Sequence, residues 1–158
     1  MMLTPPDFRN LPAVDARHQE LQEVLPSLPR TVLQIEDNVA NAEVVEQLIA
    51  RRSDLKLLTA TNAHQGIEMA CQHLPDLILM DMRLPDFGGI AALAILRANP
   101  ATAHIPVIAL SSNAYPNEIQ KCQKAGAFQY LTKSFRLGEL MDAIDDALLL
   151  AAAICLTK

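Results

Sequence analysis

Tryptophan is absent from the 158 residues, and the remaining aromatic rings are 2 Tyr and 4 Phe. A sizeable core must therefore be built from Leu, Ile, Val and Ala, which a composition 51% apolar supplies. Cysteine is sparse as well. Cys71, Cys122 and Cys155 are dispersed and none sits in a CxxC pair. That pattern excludes a disulfide framework and a zinc knuckle, and it reads as buried or partly buried thiols in a reducing compartment. Positive charge is thin: 13 Lys and Arg face 18 Asp and Glu, a net charge of -5, and the basic residues are scattered. Without a basic stripe the chain is not expected to bind nucleic acid. No basic stretch followed by an apolar run opens the chain, so a secretory signal is not expected. The longest uninterrupted apolar run, Ala147 to Leu156, falls well short of the ~20 residues that span a bilayer. These absences point to a cytoplasmic protein with no membrane role. The length suits one domain with a short extension.

What is present is unevenly arranged. Pro5, Pro6, Pro12, Pro26 and Pro29 crowd residues 1–29, which read as a leader or linker. Inside it Val14, His18, Leu21 and Leu25 fall at helical spacing and allow one short amphipathic helix. Residues 30–150 are regular, and 151–158 continue the last helix as an apolar extension. Apolar strands are expected at 31–35, 56–60, 76–80, 106–110 and 128–131. Helices are expected at 39–51, from the Asn62 cap to about 73, at 90–98, at 117–125 before Gly126, and from 137 to about 153. Val44, Leu48 and Arg51 fall on adjacent turns of the first helix; Ile67, Ala70 and Cys71 are expected to face inward from the second. Continuous apolar strands alternating with helices predict a doubly wound α/β domain, a five-stranded parallel sheet with helices on both faces.

In such sheets function collects beyond the carboxyl ends of the strands. There the chain places Glu36 and Asp37 after the first strand, Asp81 after the third, Ser111 after the fourth and Lys133 after the fifth. Three carboxylates held together repel, each pair at 4 Å by about 4 kcal/mol at an effective dielectric of 20. A retained proton or a divalent cation must offset this. All-oxygen donors open to water favour a hard ion such as magnesium. A lysine and a hydroxyl beside the acids suit a phosphoryl group, whose transfer depends mostly on positioning and charge neutralisation. His18, His64, His73 and His104 are dispersed and suggest neither a transition-metal site nor a phospho-histidine.

Taken one at a time these residues are unremarkable: a strand-end acidic pair, a turn-starting Asp, a solvated Lys, a capping Ser. Their order and placement together are specific. The segments IEDNVAN, LILMDMRLPDFGG, VIALSSNA and YLTKS resemble those of response-regulator receiver domains of two-component signalling, over roughly residues 30 to 150. The resemblance implies a flavodoxin-like strand order 2-1-3-4-5. It implies that Asp81 accepts a phosphoryl group from a histidine kinase or histidine phosphotransfer protein. It implies that Asp37 binds Mg2+ directly, Glu36 mostly through water, and the Arg83 backbone carbonyl completes the protein's share of the metal site. Lys133 would pair with the acyl phosphate, and Ser111 and Tyr130 would be the switch residues. Receiver relatives also dimerise through their last helices. With ALLLAAAICL ending the fifth helix, a homodimer is expected here, the leader stripe being the alternative cover.

This sequence departs from the family pattern in places. Ser134 follows Lys133 where the family usually has a cis proline, and a non-proline cis bond costs about 3 kcal/mol. Gly88 stands where many relatives carry an acid. Arg83 occupies a variable position. Nothing after residue 150 resembles an output domain, so a free-standing regulator and the receiver of a hybrid histidine kinase are both compatible. The expected role is signalling, with catalysis limited to the chain's own phosphorylation and dephosphorylation. The rival readings are a degenerate, unphosphorylated interaction module, a magnesium-dependent aspartyl phosphatase-like enzyme and a flavodoxin-like electron carrier. Arg83 weighs against the phosphatase, which usually carries a second acid there. The acidic IEDNVAN loop weighs against an anionic cofactor.

Overall fold

A computed structural model describes residues 28–156, with side chains through Ile154. The leader stripe of Val14, His18, Leu21 and Leu25, and the side chain of Cys155, lie outside the described residues. The elements alternate strictly: β1 (Arg30–Ile35), α1 (Val39–Ala50), β2 (Leu55–Ala60), α2 (Ala63–His73), β3 (Leu77–Asp81), α3 (Gly88–Ala98), β4 (Val107–Ser111), α4 (Pro116–Lys124), β5 (Gln129–Thr132) and α5 (Leu137–Leu156). The sheet is all parallel, as expected from the sequence, and its order β2-β1-β3-β4-β5 is the one the resemblance implies.

Burial explains why the strands carry no polar alternation. Every residue of β3 and β4 is buried, because helices cover both faces. On one face Val45, Leu48 and Ile49 of α1 meet Leu140, Ile144 and Leu148 of α5 across Val32 and Leu79. On the other, Ala63 and Ala70 of α2 and Leu93 and Leu96 of α3 cover Leu33, Ile78 and Met80. Among the described residues no helix is long and apolar enough to cross a membrane.

The sequence leaves the inward face of α1 open, and the inward face of α2 differs from the sequence expectation. In α1 the buried residues are Val45, Leu48 and Ile49, whereas Val44 is 47% exposed. In α2 they are Ala63, Gly66 and Ala70, whereas Cys71 is exposed and Ile67 only partly buried. The cause lies in the close approach of α2 to β1. A Cβ at Gly66 would sit 2.3 Å from Ile35 Cδ1, so the helix turns its smallest residues toward the sheet. Cys122 is buried as anticipated, and burial pushes its thiol pKa up, with Glu118 nearby adding to the shift. The described histidines, His64, His73 and His104, are exposed and well separated.

Candidate phosphoacceptor site

Register delivers the acids to one place. Ile35 pairs with Met80, so Glu36 and Asp81 leave adjacent strands side by side. Asp81 pairs with Leu110, and Ser111 with Thr132, so Ser111 and Lys133 follow one step further along the same edge. A backbone bond from Lys133 N–H to the Ser111 carbonyl, 2.7 Å long, fixes the start of that last loop.

The acids meet closely. Glu36, Asp37 and Asp81 each offer a carboxylate oxygen, and these atoms all lie within 4.8 Å of one another. Asp81 and Glu36 are buried, at 2% and 5% exposure, and Asp37 is open to solvent. Lys133 Nζ stands 3.1 Å from Asp81 Oδ2 and 3.4 Å from both oxygens of Glu36. One ammonium thus serves two buried carboxylates while the third faces water. Burial raises the Glu36 pKa first and the Asp81 charge raises it further, against the lowering effects of Lys133, the Asn41 side chain and the Asn38 N–H.

Neighbouring donors orient the site. Asp81 Oδ1 accepts from the Arg83 N–H at 3.0 Å. Glu36 Oε1 accepts from Asn38 N–H and from Asn41 Nδ2, both at 3.3 Å. The same Asn38 caps α1, its Oδ1 accepting from Asn41 N–H at 3.1 Å. Asn38 and Asn41 were not singled out in the sequence, although both lie within five positions of Glu36 in IEDNVAN. Ser111 is buried at 4% exposure, its Oγ accepting from Asn113 N–H at 3.2 Å. The Tyr130 hydroxyl, half-buried, donates to the Asn113 carbonyl. Ser111 and Tyr130 are therefore both tied to Asn113, in the loop between β4 and α4. The Arg83 side chain is exposed.

No described peptide bond is cis. The bond before Ser134 is therefore trans, and Lys133 nevertheless reaches Asp81. Ser134 Oγ lies 3.0 Å from Thr132 Oγ1, a contact proline would lack.

Asp86, also missed in the sequence, holds the β3–α3 loop in place. Its two carboxylate oxygens accept from Ala63 N–H at 3.0 Å and His64 N–H at 2.8 Å, the first two amides of α2. Asn62 Oδ1 takes the third, from Gln65 N–H, at 2.7 Å. The partner lies 23 residues away in sequence, so no local signature announces it.

Residues 32–145 match the response regulator receiver domain family. The chain belongs to that family. It is 29% identical over 117 residues to the polar-differentiation response regulator DivK of Brucella anthropi, covering 74% of this chain and 94% of that protein. Its structure is similar to the receiver domain of sensor histidine kinase PA1611 from Pseudomonas aeruginosa, with 30% identity, a TM-score of 0.70, and 76% of this chain and 98% of that one covered. That crystal structure holds a magnesium ion in the active-site cleft. A receiver domain protein from Clostridium thermocellum shares the fold with a TM-score of 0.72 at 24% identity, covering 79% of this chain and 98% of that one. The chain is thus a receiver domain of two-component signalling.

Proposed function

We propose that this receiver is an active phosphoacceptor and that Asp81 takes a phosphoryl group from a phosphohistidine on a histidine kinase or histidine phosphotransfer protein. The observation that carries this reading is the ion pair of Lys133 with Asp81 at 3.1 Å, set beside the carboxylates of Glu36 and Asp37. A degenerate receiver would have no need to keep three acids and one lysine at the same strand ends, where each acid adds repulsion.

In the transfer, an Asp81 carboxylate oxygen attacks phosphorus, the P–N bond to the imidazole breaks, and the departing imidazole nitrogen keeps the electron pair and takes up a proton. Asp81 Oδ1 is held by the Arg83 N–H, so Oδ2 is the oxygen presented for attack. Lys133, already at Oδ2, supplies a point charge that follows the added phosphoryl oxygens. The Ser111 Oγ–H is placed on the neighbouring strand end to donate to one of those oxygens. Its movement, together with Tyr130, would alter the loop they both hold at Asn113.

The donor set fits a hard divalent cation: three carboxylate oxygens within reach of one another, one of them water-exposed, with no nitrogen or sulfur donor among them. Asp37 and Asp81 would hold Mg2+ directly, Glu36 through water, and the Arg83 carbonyl would join them. Bound there, the ion neutralises charge developing on the transferred group.

Incubation of the full chain with acetyl phosphate and Mg2+, followed by intact mass, tests the reading. One added phosphoryl mass, lost in Asp81→Asn, is expected. Equal labelling of the variant would overturn the assignment.

The same reading takes residues 30–150 as the receiver, 1–29 as leader or linker, and 151–158 as an extension of α5, in a cytoplasmic protein. It includes a homodimer through the last helices, supported by the half-buried Leu149 and Leu150 beside the fully packed Leu148 of α5. Light scattering on the full chain and on a version ending at Leu148 checks it; monomers in both, phosphorylated or not, rule it out.

A further inference from the structure

Gln34 is 2% exposed, and among the described residues its Oε1 is the buried side-chain polar atom that has no hydrogen-bond partner. Native proteins seldom leave such an atom unmatched, and a ligand or water is the usual remedy. Gln34 sits between Thr59 of β2 and Leu79 of β3, beneath the first turns of α1. Crevices open over it on both sides of that helix. The one toward α5 contains Lys133, which offsets Glu36. The one toward β2, about 200 Å³, is lined by Glu36, Asp37, Glu43 and Glu46 and by no Lys, Arg or His.

We propose that the crevice between α1 and β2 binds an aliphatic polyamine. Its carboxylates are spread along one wall rather than gathered at a point. Glu43 and Glu46 lie three residues apart on α1, a rise of about 4.5 Å, and both lie beyond Asp37 along the same helix direction. A single metal ion satisfies one end of such a row. A chain carrying ammonium groups at intervals satisfies its length. Between the acids the lining includes Val39, Ala42 and Ala60, against which methylene spacers lose water favourably. An ammonium N–H directed to the floor of the crevice supplies the donor that Gln34 Oε1 lacks.

Glu36 and Asp37 belong to this crevice and to the candidate metal site. Polyamine and Mg2+ therefore weaken each other, and by the same factor in both directions. Asp81 and Lys133 do not line the crevice, so spermidine binding is read directly without phosphorylation, while the shared Glu36 and Asp37 couple it to Mg2+.

The test is a spermidine titration of the isotope-labelled full chain at constant ionic strength, followed by NMR. Saturable shifts are expected at the Gln34 side-chain amide and the backbone amides of 59–61. The double variant Glu43→Gln with Glu46→Gln, on the exposed side of α1, should weaken binding about fivefold, the effect of losing two exposed ion pairs. Gln34→Leu should abolish the shifts at 59–61, and Mg2+ should raise the apparent Kd for spermidine. Shifts that fail to saturate, that persist unchanged in the double variant, or that Mg2+ alone reproduces at Glu43 and Glu46 would overturn the proposal. Should Gln34→Leu fold poorly, the double variant decides the matter.

Discussion

Lys133 Nζ lies 3.1 Å from Asp81 Oδ2 even though the peptide bond that follows Lys133 is trans. The ammonium is placed by the sheet. Thr132 is registered to Ser111 and the Lys133 N–H is bonded to the Ser111 carbonyl, so the side chain leaves the edge of β5 aimed across β4 at Asp81. Ser134 changes the chemistry beside the lysine without displacing it.

Removing that ammonium leaves two buried acids facing each other. Lys133→Met is expected to lower metal-free stability at pH 7 by about 2 kcal/mol, between the value of an exposed pair and that of a buried one, because Lys133 is itself partly exposed. Mg2+ should recover part of the loss, since a divalent ion supplies the missing charge. Urea unfolding with and without Mg2+ checks this; a variant as stable as the parent in metal-free buffer contradicts it.

Arg52 joins the turn after α1 to α5. Its guanidinium grips Asp54 through two bonds, 3.0 and 2.6 Å, and reaches Asp145 Oδ1 at 2.6 Å. The Arg52 hydrogen bonds hold the Asp54 pKa below the usual carboxylate range, outweighing partial burial. A depressed carboxylate stabilises the fold above its unfolded pKa and loses that contribution as pH falls through the folded value. Arg52→Ala is therefore expected to cost about 1 to 2 kcal/mol at pH 7, discounted for exposure, and less in acid. Arg52→Lys should recover only part, because an ammonium cannot make the two-pronged contact. Thermal melts at pH 7 and below pH 4 distinguish these outcomes.

The fold was legible because each strand is a short apolar run bounded by turn residues, and the acids fall where those runs end. Helix phase was less legible. α1 carries Val39, Ala40, Ala42, Val44 and Val45 nearly all round, so spacing alone does not say which side meets the sheet. Gly66 reads as a weak point in a helix, yet contact with Ile35 makes it part of the core. The site's acids, lysine and serine were visible at strand ends. Asp86, Asn41 and Gln34 were not, since each acts through partners or spaces that only the fold brings near. Arg97 is similar: its guanidinium bonds to the carbonyls of Ala103, Ile105 and Gly126, with burial lowering its pKa. At Gly126 the backbone turns at φ +103°, and a Cβ there would press on Arg97 Nε at 2.9 Å.

Asp86 should show the acid dependence of a helix cap. Burial is the largest single influence and opposes its ionisation, but the bonds from the His64 and Ala63 amides and those from the Asp86 and Phe87 backbone together outweigh it and lower its pKa. The stabilisation is present above the unfolded carboxylate pKa and disappears as pH falls through the lowered folded value. Asp86→Ala should lower the melting temperature at pH 7 and converge with the parent in strong acid. A constant gap across that range would show that the carboxylate's charge is not what fastens the loop to α2.

Glu36 has the opposite sign. Its folded pKa is raised, by burial first and by Asp81 second. The folded state therefore binds the proton more tightly than the unfolded state, and metal-free stability falls as pH rises from the unfolded carboxylate pKa through the folded one. Above both values the buried charge remains a fixed cost. Glu36→Gln removes that charge while keeping an oxygen for Asn41 and Asn38 to bond. It should raise metal-free stability at pH 7 by about 1 kcal/mol, the size usual when a strained functional feature is removed. It should also flatten the pH dependence above the ordinary carboxylate range and, on the proposed function, weaken Mg2+ binding, since Glu36 would hold the ion through water. Paired measurements of urea stability against pH and of Mg2+ titration decide this. A variant less stable than the parent in metal-free buffer would mean that the Lys133–Glu36 pairing outweighs the repulsion from Asp81, and that Glu36 is held for the fold as much as for the ion.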